Sequence, residues 1–140
     1  MATTADASFG RVATLTHNRL FVTACCRIGY PTRESRNVQT IELTVRVLDW
    51  NGQPVLNLAE HNFSVSGLGN GSEPDFLASV KNITTKFGGS YELEVTFECD
   101  GNDEWRFFQR PVAVYVAKTS SANGIEFGKA YCTVIRQSNA

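Results

Sequence analysis

Hydrophobic and polar residues alternate with period two along much of this chain. The cleanest case is residues 40–49, where Ile41, Leu43, Val45 and Val47 interleave with Glu42, Thr44 and Arg46. Successive side chains of a strand point to opposite faces, so this pattern predicts a strand with one buried and one wet face. Residues 90–98 repeat it, with Tyr91, Leu93, Val95 and Phe97 facing in and Glu92, Glu94, Thr96 and Glu98 facing out. Shorter runs at 12–16, 20–27, 61–66, 76–83 and 125–136 also read as strands. Residues 112–117 (VAVYVA) are apolar on both faces, as in a central strand that Pro111 opens.

Turn chemistry separates these runs. Asn51-Gly52 is expected to supply two positive-φ positions of a tight turn, and Pro54 discourages a central strand straight after it. Residues 30–37 (YPTRESRN), 67–75 (GLGNGSEPD) and 120–124 read as loops, and Gly128 reads as a break or bulge in the last strand. Leu56 to Asn62 offers at most one helical turn. Residues 1–8 read as a loose tail and residues 9–140 as one domain. The expected class is all-β, a single antiparallel β-sandwich whose two sheets bury their alternating faces against each other.

Composition narrows the function classes. A net charge of -1 lacks the basic surplus of a dedicated nucleic-acid binder. No apolar stretch approaches the length of a membrane-spanning helix, so no membrane insertion is expected. The first fifteen residues show no basic segment leading into an apolar run, so no secretory signal is read. The compartment stays open between cytoplasm and, for a trimmed mature form, the cell surface or outside. Cys25, Cys26, Cys99 and Cys132 show no C-x-x-C spacing, and His17 and His61 lie far from all of them, so no zinc site and no cofactor is called. Adjacent Cys25 and Cys26 must face opposite ways on a strand. The four cysteines read first as small buried hydrophobes, with a Cys99–Cys132 bridge across the fold as the alternative.

Residues 44–58 (TVRVLDWNGQPVLNL), followed by HNFSVSG and later by GGSYELEV, resemble bacterial immunoglobulin-like and prealbumin-like modules. The resemblance lies in Val45, Val47, Asp49, Asn51, Gly52, Pro54 and Val55, then Phe63 and Val65, then Gly89, Tyr91, Leu93 and Val95. It spans roughly residues 40–97. The Cys…Trp…Cys pattern of an antibody domain is missing, and the first forty residues have no counterpart in those modules. The resemblance implies a sandwich used for adhesion, display or scaffolding. It carries no catalytic residues.

Candidate sites follow from loops and aromatics. His17 and His61 both sit in turns, where a histidine is ordinarily a solvated polar residue, and no G-x-S-x-G elbow is present, so no catalytic residue is named. Glu92, Glu94 and Glu98 share one outward face and read as edge protection. Asp100, Asn102, Asp103 and Glu104 offer hard oxygens for calcium, but the ion wants six to eight, so a solvated hairpin tip explains them as well. Trp50 beside its turn and Trp105 after the acidic tip could stack on a ligand; capping the ends of the core is the competing role. Arg11, Arg19, Arg27, Arg33, Arg36 and Arg46 make the N-terminal third basic against the acidic stretch 92–104, an asymmetry suited to head-to-tail assembly. Sequons occur at Asn62, Asn70 and Asn82, and only Asn70 is expected to be accessible.

The sequence therefore predicts a non-catalytic binding or structural interaction module with a protein or glycan partner, self-association included. Its contacts are assigned to Asp49, Trp50, Asn51, Asp103 and Trp105. The alternative is a carbohydrate-binding module or lectin that uses the same aromatic and acidic residues.

Overall fold

A computed structural model of the chain describes residues 18–26, 32–35, 38–68, 76–98, 109–121 and 124–135. Eight strands follow in order: β1 (Phe21–Cys26), β2 (Thr32–Ser35), β3 (Val38–Leu48), β4 (Phe63–Gly67), β5 (Phe76–Thr85), β6 (Ser90–Glu98), β7 (Gln109–Ser120) and β8 (Gly124–Ile135). Single 3-10 turns at Glu60–Asn62 and Phe87–Gly89 precede β4 and β6.

The all-β, antiparallel class is as expected. The hydrogen bonding, however, makes one sheet in the order β1-β3-β6-β5-β4-β7-β8, with β2 paired to β3. It does not make two separate sheets. β4 pairs with β5 on one edge and β7 on the other, so it joins what would be the two layers of a sandwich. The ends of the sheet then meet. Arg19 bridges Phe127 in parallel, Leu20 N donates to Phe127 O at 2.8 Å, and Phe127 N donates to Asn18 O at 2.9 Å. The result is a sheet nearly closed into a barrel, with its inward side chains as core.

The inward phase of each strand fills that core. β3 contributes Ile41, Leu43, Val45 and Val47, and β6 contributes Tyr91, Leu93 and Val95. Phe63 and Val65 on β4 and Val112, Val114 and Val116 on β7 close the other side. Each fully buried side chain of this size adds about 1.5–3 kcal/mol.

Several local expectations are corrected. Residues 32–35, read as polar loop, form β2, because β3 starts at Val38 and its free edge can pair with any backbone. Gly128 causes no bulge: the β7–β8 register runs unbroken from Gln109↔Ile135 to Ser120↔Gly124. A Cβ on Gly128 would instead lie 2.3 Å from the Leu20 carbonyl oxygen, so glycine lets β1 approach β8. In the turn after β3 only Gly52 has positive φ, at 81°. Asp49 O accepts from Gly52 N at 2.9 Å and Asp49 N donates to Gln53 O at 2.8 Å, so one left-handed residue suffices. Asn82 is exposed, contrary to expectation, and Asn70 lies outside the described residues. Asn62 is engaged, accepting from Ala59 N and donating to Ala117 O. Cys132 is a free thiol, and Cys99, its partner in the alternative bridge, lies outside the described residues. Cys25 is exposed and Cys26 half-buried, as adjacency on a strand requires. Among the described residues no helix is long and apolar enough to cross a membrane.

Candidate functional site

One end of the barrel carries the C-terminal ends of β3 and β7 and the N-terminal ends of β6 and β8, as the registers Arg46↔Ser90 and Ser120↔Gly124 show. The crossover from β3 to β4, residues 49–62, runs across this mouth. It is pinned from inside. Val55 and Leu58 are buried, the Tyr91 hydroxyl donates to Val55 O at 2.5 Å, and Leu58 N donates to the same hydroxyl at 3.3 Å. Tyr91 therefore serves as both core side chain and anchor for the loop.

Beside this loop lies a cleft of about 450 Å3, within the range usual for small-ligand sites. Asp49, Trp50 and Asn51 line it from the turn, Val55 and Leu56 from the crossover, and Lys118, Ser120 and Glu126 from β7 and β8. Three of the five residues expected at a contact site are thus together. Asp103 and Trp105 lie outside the described residues, as do the calcium candidates Asp100, Asn102, Asp103 and Glu104. The strand ends that flank that segment, Glu98 and Gln109, pair with Val38 and Ile135, at the opposite end of the barrel from Trp50.

Each cleft residue has a distinct part. Asp49 Oδ1 accepts from Asn51 N and Gln53 N, both at 2.9 Å, so this carboxylate holds the turn that presents Trp50. Trp50 is 38% exposed and lines the cleft. The floor was not anticipated from the sequence. Lys118 and Glu126 face each other across the β7–β8 ladder, and Lys118 Nζ lies 3.7 Å from Glu126 Oε2. Both belong to the inward phase of their strands, in line with Val116 on β7 and Ala130 on β8. Glu126 is only 5% exposed. Within the mouth, the apolar layers thus give way to a charged one.

The signal for this pair was available. Counting in twos from Val112 gives Val114, Val116, Lys118 and Ser120, and counting back from Val134 gives Cys132, Ala130, Gly128 and Glu126. A charged residue on the apolar phase at a strand end marks a lined mouth. The doubly apolar VAVYVA run hides which phase faces in.

A second cleft of about 510 Å3 adjoins the first through Leu56 and Lys118 and includes His61 and Asn62. On the outer wall, a groove of about 870 Å3 runs along the β1–β8 seam past Phe21, Tyr115 and Phe127, with Arg19 and Lys129 at its rim. Among the described residues no group of three or more His, Cys, Asp or Glu is arranged to hold a metal. Comparison of the chain with protein-family models, with curated proteins and with solved structures finds no match.

Proposed function

We propose that this chain is a non-catalytic binding module that receives its ligand in the cleft at the barrel mouth. The observation that carries this reading is the inward-turned Lys118–Glu126 pair, which lines one cleft with exposed Trp50. Removing two charges from water costs more than an exposed pair returns, so apolar residues at these positions would serve the fold at least as well. A cation, a carboxylate and an aromatic face around one cleft serve recognition instead. The resemblance of residues 40–97 to immunoglobulin-like and prealbumin-like modules supports the same non-catalytic reading.

The chemistry favours a hydroxylated ligand, as in the carbohydrate-binding alternative. An indole stacks on the apolar face of a sugar ring, while Asn51, Lys118 and Glu126 supply donors and acceptors for hydroxyls. The test is saturable heat on calorimetric titration with a glycan panel and a peptide panel. Trp50→Phe and Glu126→Gln are both expected to abolish the response to the active ligand. Retained binding in Trp50→Phe, or no saturable response to either panel, would overturn the proposal.

A further inference from the structure

The seam between β1 and β8 is the least complete part of the barrel wall. Among the described residues the pairing across it is the Arg19–Phe127 bridge and its two backbone hydrogen bonds. The groove of about 870 Å3 runs along this seam, a volume usual for small-molecule sites. Phe127 from β8, Phe21 from β1 and Tyr115 from β7 line it and are 57%, 50% and 41% exposed. Leu20, Val22 and Gly128 line it from the inward phase of their strands, and Gly128 adds no side chain to fill it. Scattered exposed aromatic side chains need no explanation, but three around one apolar groove mark a binding surface.

The charges at the groove have one sign. Arg19 and Lys129 are its charged lining residues, and both are exposed. Arg19 stands opposite Phe127, and Lys129 follows Phe127 by two residues on the same outward face, so both cations sit one strand position from that ring. Among the described residues neither has a carboxylate within ion-pair distance. Lys129 Nζ lies 5.5 Å from the Tyr131 ring centroid, a contact that leaves its charge in place. Glu126 of β8 faces inward onto Lys118. Among the described residues the flanking outward positions add no carboxylate: β7 presents Ala117 and Thr119 beside Tyr115, and β4 next to it presents Ser64 and Ser66. On the other flank Thr23 of β1 stands opposite Arg46 of β3, a third cation, whose Nε donates to Gly88 O at 3.3 Å. The outward glutamates lie further along β3 and on β6: Glu42, Glu94 opposite it, and Glu92, which pairs with Lys86 at 3.9 Å.

We infer that this groove holds one molecule of an anionic amphiphile, with its apolar tail along the seam among Phe21, Tyr115 and Phe127 and its carboxylate head on Arg19 and Lys129. Burial of the tail against exposed aromatic and aliphatic side chains supplies the affinity. The two cations select the sign of the head, because a carboxylate accepts charge-assisted hydrogen bonds from them and a cationic head is repelled. The groove shares no lining residue with the mouth cleft, so this inference stands independently of the ligand proposed there.

The test is calorimetric titration of the intact chain with decanoate, decyltrimethylammonium and acetate, each kept below micelle formation. Decanoate is expected to saturate at one molecule per chain. Decyltrimethylammonium carries the same tail with the opposite charge, and acetate carries the head without the tail. Both are expected to bind about tenfold more weakly or worse, the scale of losing one hydrogen bond to a charged group. Lys129→Glu is expected to weaken decanoate binding about tenfold, and Lys129→Arg to keep it. Phe127→Ser is expected to weaken it about tenfold through lost aromatic burial. Phe127 and Lys129 are exposed, so unchanged thermal melting of each variant shows that the fold is intact. Absence of saturable decanoate binding overturns the inference. So does equal affinity for decanoate and decyltrimethylammonium, or decanoate binding that neither Phe127→Ser nor Lys129→Glu alters. Binding to phosphatidylglycerol vesicles without binding of monomeric decanoate overturns it and assigns the wall to a membrane surface. Self-association in sedimentation velocity that Phe127→Ser abolishes, again without decanoate binding, overturns it in favour of a second copy of the chain.

Discussion

The Tyr91 hydroxyl reaches out of the core to the Val55 carbonyl at 2.5 Å, across 36 residues of sequence, and ties the mouth loop to the barrel. The same oxygen accepts from Leu58 N, so one hydroxyl satisfies two buried backbone groups. Tyr91→Phe keeps the ring, its tilted contact with Phe63 at 5.4 Å and the apolar burial. It leaves a buried carbonyl and a buried N–H without their partner. The expected loss is about 1–3 kcal/mol in urea unfolding, with an unchanged slope because little surface changes. Amide exchange at Leu58 should accelerate more than exchange at Leu93.

The Lys118–Glu126 pair separates stability from recognition. Lys118→Met removes the partner of a carboxylate that is almost fully enclosed. The expected cost is about 2 kcal/mol, below the 3–5 kcal/mol of a wholly buried pair, because the Lys118 side chain is about a third exposed. Lys118→Met with Glu126→Leu replaces both charges by apolar groups of similar size. That double variant should recover to within about 1 kcal/mol of the original chain in chemical unfolding. It should nevertheless fail to bind the mouth ligand. A double variant as unstable as the single one would mean that the pair is structural.

Two glycines distinguish close approach from backbone conformation. A Cβ on Gly128 would meet the Leu20 carbonyl oxygen at 2.3 Å and Val22 Cγ2 at 2.9 Å. Gly128→Ala should therefore push β1 off β8 and cost about 1–3 kcal/mol as an overpacked site. Gly124 has a φ of 76° and nothing within 4 Å of its would-be Cβ. Gly124→Ala should cost about 1–2 kcal/mol through backbone strain alone. The discriminating measurement is hydrogen exchange at the Leu20 and Phe127 amides, which bridge the seam. Both should lose protection in Gly128→Ala and keep it in Gly124→Ala.

Local alternation made β3 and β6 legible, since Ile41 to Val47 and Tyr91 to Val95 each declare one buried face. It could not choose between a sandwich and a nearly closed barrel, because both ask for the same inward phase. The choice lies in pairings such as Phe63↔Val116 and Arg19↔Phe127, which join residues far apart in sequence. The TRES segment escaped notice because its pairing uses backbone groups and needs no apolar face. At the site, Asp49, Trp50 and Asn51 stood out through turn chemistry. Lys118 and Glu126 emerge only once the inward phase of β7 and β8 is known.

Cys132 offers a test of the seam by titration. Burial first, and then the neighbouring Cys26 and Cys25 thiols, push its pKa up to about 11. An unfolded chain would release that proton near 9, the ordinary value. Between the two values the folded state holds a proton that the unfolded state has lost. Stability from this group is therefore complete below about pH 9 and is lost as pH rises toward 11. The original chain should lose more stability than Cys132→Ala over that window, when both are followed by chemical unfolding. At neutral pH, exposed Cys25 should be alkylated well before Cys132, because the thiolate is the reactive form and burial suppresses it. Equal alkylation rates, read by intact mass over time, would mean that the β1–β8 seam opens faster than the reagent reacts.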